Sequence, residues 1–180
     1  NVFSVGSWFN LKLNVDENKL RADVPQSFMD DYIETHSEKH KIYQLLQTVI
    51  FIAKDDSLKM TMEHPVMSDN SFSNSCSLIN GTFDIGKYFR LISPAFYINK
   101  GVNSVSIKEG DALYYLRFHT EKKIKFVPFF MSDKYEHIAK SVRSSVSESL
   151  SNKSMDLYYK IFKKQKIKKL LLKEIKANII

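Results

Sequence analysis

The chain is poor in cysteine and glycine, and each scarcity limits the kinds of site that it can form. Its single cysteine, Cys76, cannot form a disulfide within the chain and rules out a zinc site of four cysteines. Five glycines leave little room for a phosphate-binding loop. Neither a Gly-x-Ser-x-Gly nucleophile motif nor a His-x-His metal motif occurs. The sequence predicts no cofactor, and it favours a non-enzymatic protein over an enzyme.

Long apolar runs are also missing. No segment approaches the roughly 18 consecutive apolar residues of a membrane-spanning helix, and no secretion signal is visible. A lone cysteine is typical of proteins that stay in a reducing cytoplasm. We therefore expect a cytoplasmic protein without a transmembrane segment.

The residues that are present indicate a β-rich fold. Hydrophobic residues make up 43% of the 180, and 13 Phe and 9 Tyr favour strands. Within residues 81–130, short apolar and aromatic runs are broken by Gly, Asn and Pro, which predicts consecutive strands of a sandwich or jelly roll. The fold class that we predict is mainly β with flanking helices: an antiparallel β-sandwich or jelly roll plus a basic C-terminal helix. The strands are predicted at 82–92, 94–99, 103–108, 112–119 and 123–130.

The first half of the chain is less regular. A first strand is predicted around Ser7–Val15, and Ser27 followed by Asp30 predicts a short helix over 27–40. The apolar run 42–53 predicts a buried strand. The alternating residues Ser57–Glu63 predict a half-buried strand that closes a hairpin with it. Residues 64–77 read as a polar loop.

Charge separates the chain into two parts. Residues 153–180 carry nine lysines against Asp156 and Glu174, a net charge of +7, whereas residues 1–152 are neutral. We predict one sandwich domain over 1–151 and a basic helix over 152–180 packed on it. The lysines then form a solvated face, and the alternatives are a homo-oligomer contact or non-specific binding of nucleic acid or an anionic surface. The lysines expected to carry exposed charge for phosphate or another anion are Lys164, Lys168 and Lys169.

The histidines are the basis of an alternative to the non-enzymatic prediction, namely a cupin-like, metal-dependent enzyme. His36 and His40 would share one face of a helix, a spacing that more often marks a solvated surface than a metal site. His64 and His119 end predicted strands and are the candidate metal ligands if those strands are neighbours. The competing interpretation is a strand-end histidine with a backbone partner. On strand 112–119 we expect Tyr114 and Arg117 at the surface, near the mouth of the sandwich.

Three stretches of the β-rich region resemble a known family. They are Gly81–Arg90, Pro94–Ile98 and Ile107–His119, which contains a glycine turn that enters a strand. Over about residues 42–130 the chain resembles a family of uncharacterised proteins encoded mainly by tailed phages of marine bacteria. The resemblance implies a jelly-roll or cupin-like sandwich with no assigned activity. It favours a phage-type accessory protein whose sandwich serves binding or assembly, in the cytoplasm of an infected bacterial host or in the virion.

Overall fold

The computed structural model describes residues 1–16, 19–37, 39–46, 49–87, 92–130, 132–133 and 167–180. The predicted domain boundary at residue 151 lies outside these ranges. The chain forms two compact units. Unit 1 comprises Asn1–Thr48, Met60–Thr82 and Ser93–Phe118, and unit 2 comprises Val49–Lys59, Phe83–Ile92 and His119–Ile180.

The described residues contain short strands and three helices. In chain order the elements are β1 (Val2–Gly6), β2 (Leu11–Asp16), β3 (Lys19–Ala22), α1 (Gln26–Tyr32), β4 (Ile33–Ser37), β5 (Ile42–Leu45), β6 (Met60–Glu63), α2 (Ser71–Ser75), β7 (Cys76–Leu78), β8 (Gly81–Phe83), β9 (Ala95–Ile98), β10 (Ser104–Ile107), β11 (Ala112–Phe118) and α3 (Ile167–Ala177).

The strands form three antiparallel sheets in the part of the chain that the structure describes. The first sheet has the order β1-β11-β6-β8, the second β10-β2-β3, and the third β4-β5-β9-β7. Burial alternates along β2, β6 and β10, so each of these strands turns one face inward. That alternation is typical of sheets packed face to face in a β-sandwich. The predicted mainly β fold with a basic C-terminal helix is confirmed.

Aromatic rings fill the core of unit 1. Phe96 of β9 lies at their centre, with ring centroids 5.2 Å from Phe72 of α2 and 5.9 Å from Tyr43 of β5. All three side chains are buried. Such edge-on and tilted contacts add to the stabilisation that comes from burying the ring surface.

The helix predicted over 27–40 is wrong in its second half. α1 ends at Tyr32, and the chain continues as β4, where Ile33 pairs with Leu45 and Thr35 with Tyr43. Pairing with β5 and burial of Ile33 outweigh the weak helical pattern, because β-branched side chains fit a strand better. His36 and His40 therefore do not share a helix face. His36 Nε2 lies 2.8 Å from Gln44 Oε1 on the neighbouring strand.

The hairpin predicted over 45–63 is also wrong. β5 ends at Leu45 and pairs with β4 and β9, whereas β6 pairs with β11. The apolar residues Val49–Ala53 lie in unit 2, where Ile92 N–H donates to Val49 O (3.2 Å) and Ala53 N–H to Ile85 O (3.1 Å). An apolar run indicates that a segment is buried, but it does not indicate which sheet, if any, the segment joins.

Three further predictions are wrong in part or in whole. The polar loop 64–77 contains α2 and β7. Within the described residues of the strand predicted over 82–92, β8 ends at Phe83 and a turn follows. Residues 123–130 form no strand beyond one bridge, between Phe129 and Ile179. β structure also begins at Val2, earlier than the first strand predicted around Ser7–Val15.

Unit 2 is held by α3 and by a close approach of backbone segments. Leu171 and Ile175 of α3, one turn apart, are both buried. A Cβ added at Gly86 would lie 2.1 Å from the carbonyl oxygen of Asp55, so only glycine fits there. Most of the basic helix predicted over 152–180 lies outside the described residues, and α3 is its described piece.

Candidate interaction surface

The outer side of the first sheet presents polar and aromatic side chains in register. β1, β11 and β6 pair so that Val2, Arg117 and Thr61 form one row, and Ser4, Tyr115 and Glu63 form the next. Alternation along each strand puts these six side chains on one side and the buried Met60, Met62, Leu116 and Phe118 on the other. The six outward residues are called the sheet face below.

Arg117 is fixed on this face by a two-pronged ion pair. Its Nε donates to one carboxylate oxygen of Glu63 at 2.7 Å, and its Nη2 donates to the other at 3.0 Å. These hydrogen bonds raise the pKa of the Arg117 guanidinium above its usual value. The pair is solvent-exposed, so its effect is to orient the guanidinium rather than to add much stability.

A tight turn beside the sheet face carries two exposed apolar side chains. The 64–70 turn reverses the chain between Pro65 and Ser68, with Ser68 N–H donating to Pro65 O (3.0 Å). Val66 and Met67 occupy its two central positions, and they are 77% and 88% exposed. The turn, which belongs to unit 1, therefore exposes its two central apolar side chains, Val66 and Met67, to solvent.

The flanks of the turn are tied down by hydrogen bonds. Ser68 Oγ lies 3.0 Å from the hydroxyl of Tyr115 on the sheet face, and Ser68 O accepts from Ser73 Oγ at 2.6 Å. Asn70 caps α2, because its Oδ1 accepts from Ser73 N–H at 2.8 Å, and its Nδ2 donates to Ala112 O at 3.1 Å. The exposed tip thus stands on a rigid base.

His64 is part of that base. Its ring Nε2 lies 3.1 Å from Ser73 O, and its ring Nδ1 lies 3.4 Å from Leu78 N. Because a carbonyl only accepts and a backbone N–H only donates, the ring carries its proton on Nε2. Its backbone N–H donates to Asn80 Oδ1 at 3.1 Å. Both ring nitrogens therefore link the turn to α2 and β7, as in a strand-end histidine with backbone partners.

The second predicted metal ligand lies elsewhere. His119 belongs to unit 2, where its backbone N–H donates to Lys59 O at 3.0 Å and its side chain is exposed. Among the described residues, no group of three or more His, Cys, Asp or Glu side chains is arranged to hold a metal ion. The His64–His119 metal site stays a prediction.

Of the two residues of β11 that were predicted to lie at the surface, Tyr114 and Arg117, the prediction for Tyr114 is wrong. Tyr114 pairs with Val5 of β1 and is fully buried, and burial raises the pKa of its hydroxyl. Arg117 is exposed, as predicted. Residues two apart share a face, so an exposed Arg117 implies that Tyr115 faces outward and Tyr114 inward. The strand period was sufficient to make this choice.

The predicted tail lysines have different surroundings. Lys164 lies outside the described residues, and Lys169 is exposed. Lys168 was expected to be exposed, but its side chain is only 18% exposed. Its Nζ donates to Lys54 O at 3.0 Å and to the Asp56 carboxylate, and the latter hydrogen bond lowers the pKa of Asp56. Lys168 therefore fastens α3 within unit 2 rather than offering a free charge.

Comparison with known proteins assigns no role to this surface. Neither models of protein families, nor curated proteins, nor solved structures gave a match to this chain. Among the described helices, none has the length and apolar character that a membrane crossing requires. The sequence did contain a signal for the turn: Pro65-Val-Met-Ser68 sets two large apolar residues inside a polar stretch, ahead of the capping pair Asn70 and Ser73.

Proposed function

We propose that this protein is a non-enzymatic binding or assembly protein whose sandwich contacts a protein partner through the 64–70 turn and the adjoining sheet face. The observation that carries the proposal is the exposure of Val66 and Met67 at the tip of a turn with hydrogen-bonded flanks. Two adjacent large apolar side chains at one tip, both more than three-quarters exposed, are the kind of feature that marks a contact site. Burying each one against a partner would contribute about 1.5–3 kcal/mol.

Rigidity makes this exposed pair suitable for binding. Association is weakened by the entropy lost when loops and side chains become ordered. Ser68, Asn70 and Ser73 already fix the backbone of the turn, so little backbone order remains to be imposed. Methionine also adapts its shape to irregular apolar pockets.

The surroundings of the tip have the composition of a protein interface. Tyr, Met and Arg are enriched at the centres of such interfaces, and Tyr115, Met67 and Arg117 are all on or beside the sheet face. The Thr61–Thr82 hydroxyl contact (2.8 Å) supplies part of a polar rim, and Glu63 holds the Arg117 guanidinium in place. This favours a partner with an apolar pocket bordered by hydrogen-bonding groups.

The resemblance of residues 42–130 to phage proteins extends the proposal. On that basis the protein is an accessory protein of a tailed phage, acting in the cytoplasm of an infected bacterium or in the virion. Its partner is then another phage or host protein, or a second copy of this chain.

Affinity measurements on matched variants test the proposal. The protein is used to capture partners, each partner is purified, and dissociation constants are measured for wild type, Met67→Ser and the control Tyr97→Ser. Tyr97 is an exposed aromatic residue on β9 of the third sheet, so it controls for the loss of exposed apolar surface. A central contact residue contributes about 2 kcal/mol, so Met67→Ser should weaken binding about 30-fold.

Self-association is measured on the same variants by light scattering across a concentration series. If the wild type forms an oligomer that Met67→Ser dissociates, the partner is a second copy. If all captured partners and any oligomer tolerate Met67→Ser as well as they tolerate Tyr97→Ser, the turn is not the contact surface.

A further inference from the structure

Unit 2 exposes a second group of large apolar side chains, on residues 123–130 and 169–180. Phe130 is 72% exposed, Ile180 68% and Leu170 60%. Phe126, Val127 and Ile179 are each about half exposed. Exposed apolar side chains concentrated in this way mark an interaction surface.

A short antiparallel ladder brings the two segments together. Phe129 is bridged to Ile179, with Phe130 N–H donating to Asn178 O (3.1 Å) and Ile180 N–H donating to Pro128 O (3.3 Å). Side chains alternate between the two sides of such a ladder. Phe130 and Ile180, each one residue after a bridged residue, therefore project on the same side.

Lysines accompany the apolar side chains. Lys169, Lys173 and Lys176 are exposed and follow the spacing of one helix face, away from the buried Leu171 and Ile175. Lys123 and Lys125 add two more exposed charges on the other segment. Within the described part of the chain, none of these five lysines makes an ion pair with a carboxylate.

We propose that residues 123–130 and 169–180 form a basic-apolar surface that binds an anionic lipid bilayer. Lysines attract the negative headgroups, and Phe130, Leu170 and Ile180 enter the boundary between headgroups and acyl chains. A nucleic acid would use the lysines, but it offers nothing for exposed Leu and Ile side chains. This surface belongs to unit 2 and shares no residue with the 64–70 turn of unit 1, and the inference does not rest on the function proposed above.

Vesicle sedimentation of the full chain tests the lysines first. The vesicles are phosphatidylcholine alone or phosphatidylcholine with about 30% phosphatidylserine. The variant Lys169→Gln/Lys173→Gln/Lys176→Gln is compared with Lys39→Gln/Lys100→Gln/Lys108→Gln, three exposed lysines of unit 1. Both variants lose the same charge, so a difference between them reports position.

The wild type should bind the anionic vesicles, and binding should fall with salt. Each lysine near such a surface contributes about five-fold, so the α3 variant should bind on the order of 100-fold more weakly, while the unit 1 variant changes far less. Equal losses in both variants would mean attraction by net charge alone and would overturn the proposed site. So would failure of the wild type to bind anionic vesicles.

A second pair of variants tests insertion at constant charge. Phe130→Ser/Leu170→Ser should weaken vesicle binding at least about ten-fold, and the control Val66→Ser/Met67→Ser should leave it unchanged. Circular dichroism confirms that each variant is folded. If Phe130→Ser/Leu170→Ser binds like wild type, or if a DNA duplex competes fully with the vesicles at equal phosphate, the surface binds phosphate without lipid and the proposal fails.

Discussion

The hydroxyl of Tyr115 lies 3.0 Å from Oγ of Ser68, and this contact ties the 64–70 turn to the sheet face. Tyr115 stands in register with Ser4 on β1 and Glu63 on β6, inside a regular antiparallel sheet. The turn thus takes its orientation from the most regular part of unit 1. Its exposed tip is held in place by structure that is itself well packed.

Removing the Tyr115 hydroxyl should loosen the turn without unfolding unit 1. Tyr115→Phe loses one partly buried hydrogen bond, and we expect a decrease of about 0.5–1.5 kcal/mol in the free energy of unfolding. Amide hydrogen exchange at Val66–Ser68 should become faster than in wild type. Tyr97→Phe, on the third sheet, serves as the control and should alter neither quantity. Unchanged exchange in Tyr115→Phe would show that the turn does not depend on the sheet face.

Removing the N-cap of α2 should lower the free energy of unfolding by more than the short length of this helix suggests. Asn70→Ala removes the acceptor for Ser73 N–H and the donor to Ala112 O. Loss of an N-cap costs about 1 kcal/mol, and the second hydrogen bond adds a similar amount. Chemical denaturation should therefore show a loss of about 2 kcal/mol. Asn74→Ala, in the same helix but with an exposed side chain, should cost markedly less.

A single methyl group should disrupt unit 2 at Gly86. In Gly86→Ala the new Cβ would meet Asp55 O at 2.1 Å, so a backbone segment must move. Overpacking of this kind costs about 1–3 kcal/mol or more. Gly101→Ala provides a comparison, because it has a φ of +85° but nothing within 4 Å of the added Cβ. Its left-handed backbone alone should cost about 1–2 kcal/mol, less than the backbone clash at Gly86. The order of the two losses in thermal unfolding tests the close approach at Gly86.

Cys76 should be unreactive until the protein unfolds. Burial raises the pKa of its thiol from 9.0 to about 12, so the thiolate is scarce at neutral pH as well as shielded. An aromatic disulfide reagent at about pH 8 should modify the native protein slowly and the denatured protein at once. Fast modification under native conditions would contradict the buried position of Cys76 at the start of β7.

The same shift makes alkaline pH destabilising. A folded-state pKa above the unfolded value means that the unfolded chain loses this proton first, so the stabilisation is complete below pH 9.0 and is lost as the pH rises towards about 12. Burial of Tyr114 acts in the same direction, because its pKa is also raised. Cys76→Ser should flatten part of the decline in unfolding free energy above pH 9.0.

The sequence predicted the fold class because strand alternation and turn residues are local signals. β9, β10 and β11 fall within their predicted ranges for that reason. β4 was missed because its identity depends on pairing with β5, which no local pattern records. Residues 49–53 were predicted to form a strand because an apolar run indicates burial but does not identify the strand with which it would pair. The choice between Tyr114 and Tyr115 was recoverable from the strand period alone, once Arg117 is taken as exposed.

The candidate surface was harder to predict than the fold. Two apolar residues in a polar loop carry no periodicity, and the hydrogen bonds that fix them join residues distant in sequence, such as Ser68 with Tyr115 and Asn70 with Ala112. His64 was singled out as a metal ligand because a sequence cannot show that both ring nitrogens face backbone groups. The role of the His64 ring as a link to α2 and β7 is visible only in the folded structure.

Hydrogen exchange on the complex locates the contact surface. Amide exchange is measured for the free protein and for its complex with a captured partner, or with itself if it associates. We expect slower exchange at residues 64–70 and at Tyr115–Arg117, with no change at Ala95–Ile98 of the third sheet. Protection confined to β9 or to other parts of the chain, with residues 64–70 exchanging as in the free protein, would contradict it.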